Sequence, residues 1–203
     1  MSFRIKLAAS LIALSFASAS FAQAPATKPE RIRGDIVSFS DNTLTVHRRS
    51  GDTVTITLSD ASKVSAVKTI QLSDIKKGSY VGAAAMPGAD GKLTATEVLV
   101  FPDVARGTGE GHFAYDLGAN SSMTNANVDT VVEGTSGRDL KLSYKGGSNV
   151  VTVPANAPVV TLAPATRADL VAGKKVFVIA APAGSAHNAQ FVVVEKDGVA
   201  PPM

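Results

Sequence analysis

The feature that most limits what this chain can fold into is an ordered pattern that occurs twice. Asp74-Ile-Lys-Lys-Gly78 and Asp169-Leu-Val-Ala-Gly173 share one Asp-x-x-x-Gly spacing. Ahead of the first lie Gly34-Asp-Ile-Val-Ser-Phe39, Asn42-Thr-Leu-Thr-Val-His47 and Thr53-Val-Thr-Ile-Thr-Leu58, the last two joined by the turn Ser50-Gly51-Asp52. Apolar residues alternate with polar ones, and Gly and Asp punctuate the runs. That is the pattern of half-buried strands joined by hairpins. Lys63 to Val67 adds a weaker strand, and Leu72 to Gly78 makes one helical or 3-10 turn that Gly78 stops. Tyr80 to Met86 and Leu93 to Phe101 close the unit across the turn Gly88-Ala-Asp-Gly91.

The second half repeats this order. Leu140-Lys-Leu142 stands for Leu44-Thr-Val46, Gly146-Gly147 for the Gly51 turn, and Val150 to Val153 for the third strand. Val176 to Ala180 and Ala189 to Val194 match the last two strands, while Val131-Val-Glu133 takes the place of the opening Gly-x-Ile. Short strands with one helical turn before the fourth predict an all-β fold: two tandem small barrels of OB-like or SH3-like type. The expected division is 31–102 for the first barrel, 103–127 for a glycine-rich, aromatic connector and 128–198 for the second, with 199–203 as a tail. Units of about 70 residues stand near the lower limit for independent folding, so packing between them or onto the connector is expected. Phe177, Ile179, Phe191 and Val193 lie opposite Val176, Val178, Val192 and Val194 on their strands. Both faces of these strands therefore need cover.

The pattern Gly34-x-Ile36, Asp74-x-x-x-Gly78-x-x-Val81 and Asp90-Gly-x-Leu-x-Ala95-x-x-Val98 resembles a family of bacterial exported domains of unknown function, numbered five-six-six-six. The resemblance covers each half but not the connector, and the second copy departs from it with Ser185-Ala-His-Asn188 at the Asp-Gly turn. It implies an OB-like or SH3-like barrel and brings no catalytic residues.

Arg4 and Lys6 precede the apolar run Leu7 to Phe16, and Ser20-Phe21-Ala22 offers small residues for cleavage. This is a signal peptide spanning 1–22, too short to be a transmembrane helix, followed by a Pro-containing leader over 23–30. The mature chain is expected in the periplasm or secreted, without a membrane span. Removing Arg4 and Lys6 takes the net charge from +3 to +1, so the high pI does not signal a nucleic-acid partner, which needs clustered positive charge. Cysteine is absent: no disulfide supports the fold and no thiolate is available for metal or redox work. Tryptophan is absent as well, which weakens readings based on stacking against bases or sugars.

The unrepeated stretch from Arg106 to Asn125 is the place for specific chemistry. Gly107-Thr-Gly-Glu-Gly111 is no phosphate loop, because Glu110 sits at its centre and neither Gly-Lys-Ser/Thr nor a helix follows. His112, Glu110, Asp116 and Met123 are candidate metal ligands: imidazole with a thioether suits copper, and imidazole with carboxylates suits zinc or other divalent ions. Alternatively Phe113, Tyr115 and Leu117 pack this segment onto the face that carries Phe177 and Phe191. No Gly-x-Ser-x-Gly turn appears, and no histidine stands beside a nucleophile. The reading is a non-enzymatic exported binding or accessory protein for a small ligand or metal ion, with no organic cofactor implied. The alternative is a structural protein of the envelope that pairs a barrel edge with a protein partner.

Overall fold

The computed structural model describes residues 28–88, 92–134 and 137–202. The expected signal peptide, residues 23–27 of the expected leader, and Ala89 to Gly91 of the expected 88–91 turn lie outside the described residues. So does the Asp90-Gly91 pair of the family-like pattern. The fold is all-β. Its strands are β1 (Glu30–Ser40), β2 (Thr43–Arg48), β3 (Thr53–Thr69), β4 (Tyr80–Pro87), β5 (Leu93–Val100) and β6 (Gly111–Ala114). They continue as β7 (Ser122–Gly134), β8 (Gly137–Tyr144), β9 (Gly147–Pro154), β10 (Val159–Pro164), β11 (Lys175–Ala183) and β12 (Ala186–Val194).

The pairings close a five-stranded barrel, but not within one half of the chain. β1 pairs with β2, β2 with β3, β3 with β12 in parallel, β12 with β11, and β11 with β1 again. The first three strands of the first half thus close with the last two of the second. A second ring does the converse: β7, β8 and β9 from the second half close with β5 and β4 from the first. The expected barrels over 31–102 and 128–198 are therefore corrected to two rings that exchange their last two strands.

The exchange has a local cause. Lys63 to Val67 is not a separate strand but the continuation of β3, which runs unbroken from Thr53 to Thr69 past a kink. At the kink the Ser62 hydroxyl donates to the Ala189 carbonyl at 2.6 Å and accepts from the Ser59 N–H at 2.9 Å. At about 3.3 Å per residue, the extension carries the chain roughly 20 Å past the kink, so the following turn begins over the other ring. β10 makes the same excursion in the opposite direction, and the two extensions pair antiparallel, Thr69 against Val160 and Val67 against Leu162.

The repeated Asp-x-x-x-Gly has a physical meaning at the far end of each extension. Asp74 and Asp169 each accept a hydrogen bond from the backbone N–H three residues back, Gln71 and Thr166, both at 2.9 Å. The next residue plugs a ring: Ile75 lies in the core of β7–β8–β9 with β4 and β5, and Leu170 in that of β1–β2–β3 with β11 and β12. Gly78 and Gly173, at φ +88° and +84°, turn the chain so that their N–H groups reach the carbonyls of Val128 and Ile36. That left-handed backbone is open to glycine without steric cost.

Alternation fills the two interiors as expected. Ile32, Ile36, Leu44, Val46, Ile56, Leu58, Val176, Val178, Val192 and Val194 line one, and Val81, Val98, Val128, Leu140, Leu142, Val151 and Val153 line the other. Burying each such side chain contributes about 1.5–3 kcal/mol. The rings share their irregularities. A bulge at Val37 in β1 recurs at Asp129 in β7, and one at Gln190 in β12 recurs at Thr96 in β5. This register equates Gly34-x-Ile36 with Ala126-x-Val128, so the expected counterpart Val131-Val-Glu133 is corrected too. β7 begins at Ser122, inside the stretch expected as connector. Between the rings, Val67, Leu99, Val160, Phe177 and Val193 form a third, smaller core.

Candidate functional site

The segment between β5 and β7 does not wander. β6 pairs with the start of β7, Phe113 opposite Met123 and His112 opposite Thr124. Side chains of directly opposed residues share a face, and neighbours along a strand face opposite ways. His112 therefore points outward, where its ring contacts the Thr124 hydroxyl at 2.9 Å and stacks on Tyr144 at 6.2 Å. Met123 points to the other face and is buried with Ala84 and Tyr115. Glu110 accepts a hydrogen bond from the Lys145 N–H at 2.9 Å, and Asp116 is held by Arg33 of β1. The four candidate metal ligands are thus spread over two faces, each with its own partner. Among the described residues no group of three or more His, Asp or Glu side chains gathers in a way that could hold an ion.

What the inner face of β6 does form is a cleft of about 240 Å³ between the rings. Phe177, Ile179 and Phe191 line one wall, Gly82, Leu99, Phe101 and Met123 the other, and Thr108, Gly109, Phe113 and Tyr115 the roof. The expected packing of Phe113, Tyr115 and Leu117 onto the Phe177–Phe191 face is corrected. Tyr115 packs on Ala84 and Met123, with Phe113 and Leu117 beside it, leaving the phenylalanine face across a gap. Small residues make this possible, since Gly82 and Ala84 hold the places that Phe177 and Ile179 hold in the other ring. A Cβ on Gly82 would come within 2.7 Å of the Asn125 carboxamide oxygen. Asn125 needs that room, because its amide donates to the carbonyls of Thr108 and Gly109 at 3.3 and 3.0 Å and pins the roof. The Tyr80 hydroxyl also donates to Thr108 O at 3.2 Å.

At the mouth stands Arg31, its guanidinium 4.7 Å from the Tyr115 ring and 5.8 Å from that of Phe113. Arg33 lies between the Tyr115 and Phe177 rings at 5.3 and 5.0 Å and makes two hydrogen bonds to Asp116, at 2.8 and 3.0 Å. Burial works to raise the Asp116 carboxyl, but the hydrogen bond and charge of Arg33 outweigh it and hold the group below its ordinary range. Burial also pushes up the Tyr115 hydroxyl, with Arg33 opposing. On the same face of β5 as Leu99 is Glu97, opposite Ala84, only 3% exposed, with one carboxylate oxygen that has no hydrogen-bond partner. Burial raises its pKa to about 7 against the pull of Arg33 and Arg49.

Beside the cleft, and sharing Arg31 with it, is a polar pocket of about 340 Å³ lined by Arg31, Arg33, Arg48, Arg49, Ser50 and Asp116. A larger depression of about 480 Å³ lies near Ile75 and Arg138. It is open to solvent, and its arginine is already bound by Glu133 and by the carbonyls of Leu72 and Ile75.

No protein-family model matches this chain, and neither a curated protein nor a solved structure is significantly similar to it. The resemblance of each half to the exported domain family rests on the residue pattern alone. Sequence reasoning passed over Arg31, Arg33, Glu97 and Asn125. The sequence marks them only faintly: Arg31-Ile32-Arg33 sets two cations on one face of a strand, and Glu97 directly precedes the apolar run Val98-Leu99-Val100.

Proposed function

We propose that this chain is an exported, non-enzymatic binding protein that takes a small, mostly apolar ligand into the cleft between its rings. The observation that carries the reading is the cleft itself: apolar walls from both rings, a roof fixed by Asn125 and Tyr80, and a polar group at the mouth. Concave, largely preformed apolar sites with a few placed polar groups are the usual form of small-ligand sites. Catalysis has less support. Glu97 is the one carboxylate strongly raised among the described residues, and it does not line the cleft. The metal-ion version loses its common ligand set once His112 and Met123 face opposite ways. Pairing of a barrel edge with a protein partner also loses ground, because both rings are closed and only four-residue β6 ends the sheet on one side among the described strands.

The chain's lack of tryptophan makes the test clean. Phe191→Trp places a single indole in the cleft wall, and Val132→Trp places one on an exposed site as control. Titration with straight-chain alcohols should change the emission of the Phe191→Trp variant alone, with affinity rising with chain length. Equal or absent responses in both variants would remove the cleft as a binding site. N-terminal sequencing of the exported protein should begin at Gln23.

A further inference from the structure

Resting on the reading of the cleft as a ligand site, we infer that its ligand is a single-chain amphiphile with an anionic head. The chain lies between the rings, and the head is bound by Arg31 and Arg49. The apolar cleft and the basic pocket are neighbours that share Arg31 as a common wall, so one molecule can occupy both. The cleft's volume lies below the range of about 300–1,000 Å³ usual for drug-sized ligands, which suits one short chain rather than a ring system or a two-chain lipid.

The charges in the basic pocket decide the sign of the head group. Arg33 is neutralised by Asp116, and Arg48 by Glu30 at 2.8 Å with Asp52 at 3.6 Å. Arg31 and Arg49 make no ion pair among the described residues. Arg31 is held by the faces of Tyr115 and Phe113, a contact that fixes a guanidinium while leaving its N–H edge free to bind an anion. Glu97, on the same face of β5 as Leu99, is the remaining carboxylate close to Arg33 and Arg49. It forms no hydrogen bond with either, and an arriving anion would face two unpaired guanidinium groups.

The test compares decanoate, decanol and decyltrimethylammonium by calorimetry at pH 7 on the wild type, Arg31→Gln and Arg49→Gln. Decanoate should bind at least tenfold more tightly than decanol, and each substitution should reduce that preference. Each methylene added from octanoate to decanoate should tighten binding about fourfold, the value of one buried CH₂. Equal binding of decanoate and decanol would overturn the anionic head and leave the apolar cleft standing. Absence of binding by all three, or a preference for the cation, would overturn both. Arg49 is exposed, so Arg49→Gln keeps the test decisive even if Arg31→Gln fails to fold.

Discussion

Arg33 and Asp116 are 83 residues apart in the chain and meet in a two-pronged ion pair, Nη1 to Oδ2 at 2.8 Å and Nη2 to Oδ1 at 3.0 Å. The pair ties the end of the β6 hairpin, which belongs to one ring, to β1 of the other. The Arg33 side chain is 9% exposed and that of Asp116 is 44% exposed, so one partner is buried and the other half in water. Asp116→Asn should cost about 1 kcal/mol, less than the roughly 1.5–3 kcal/mol of a charged hydrogen bond because solvent screens the carboxylate. Urea unfolding would show it as a lower midpoint with an unchanged slope. Because Arg33 depresses the Asp116 pKa, the contribution is present above the ordinary carboxylate range and disappears as pH falls through the lowered value. The gap between wild type and variant should therefore close in strong acid. A gap that persists there would mean the pair does not act through charge.

Glu97 predicts the opposite pH dependence. Its carboxyl is raised from 4.5 to about 7, so the folded chain holds a proton across that interval which the unfolded chain has released. Stability attributable to this group is full below about 4.5 and is lost as pH rises toward 7. Glu97→Gln removes the titration but keeps the shape. From pH 4.5 to 7.5 the variant should gain on the wild type by on the order of 3 kcal/mol. Urea midpoints at pH 4.5, 6 and 7.5 measure the trend, and parallel curves for the two proteins would contradict it.

Two glycines separate local from global damage. A Cβ at Gly34 would lie 2.0 Å from the backbone carbonyl oxygen of His47, and backbone inside a ring cannot yield. At Gly82 the clash is with the Asn125 side chain and, at 3.1 Å, with the Phe101 ring, which can shift. Gly82→Ala should cost about 1–3 kcal/mol, the usual range for overpacking, and Gly34→Ala more. Gly82→Ala should also release the Thr108 and Gly109 carbonyls from Asn125. Trypsin cleavage after the exposed Arg106 should then quicken while the far-ultraviolet spectrum stays unchanged. Unchanged cleavage would mean that Asn125 does not hold the roof.

The ring interiors were legible because alternation sorts Leu44, Val46, Leu140 and Leu142 inward whichever strands they pair with. The exchange was not legible for the same reason. Val81 and Val176 stand at equivalent positions in the two halves, so β1 could close against either β4 or β11 with the same side chains. The choice is made by the length of β3, which depends on Lys63 to Thr69 continuing as strand beyond Ser62. The second opening was hidden because Gly34 and Ile36 are replaced by Ala126 and Val128, so no glycine marks it. At the site, Phe113, Tyr115, Phe177 and Phe191 announced a need for cover. Arg33 and Glu97 gave no such sign, since a charge on an outer strand face reads as solvated until another ring is known to cover it. His112 and Met123 looked like co-ligands only while the stretch was read as a loop. Once it is a hairpin, strand alternation divides them.

The exchange itself can be tested directly because the chain contains no cysteine. Asp35 of β1 is the register partner of Lys175 of β11, and their side chains form an ion pair at 3.1 Å. Cross-strand partners have Cα atoms about 4.5–5.5 Å apart, inside the range that a disulfide spans. The double variant Asp35→Cys with Lys175→Cys should therefore oxidise within one molecule. It should run as a monomer on a non-reducing gel and give a tryptic peptide linked between the two positions. If each half instead closed its own barrel, β1 would lie against β4, Asp35 would face Tyr80, and both thiols would remain free. If the exchange occurred between two chains, the disulfide would appear as a covalent dimer. Free thiols or a covalent dimer would each refute the intramolecular exchange. A linked monomer would place β11 beside β1 in the same chain, as a cleft walled by Phe177 and roofed by Tyr115 requires.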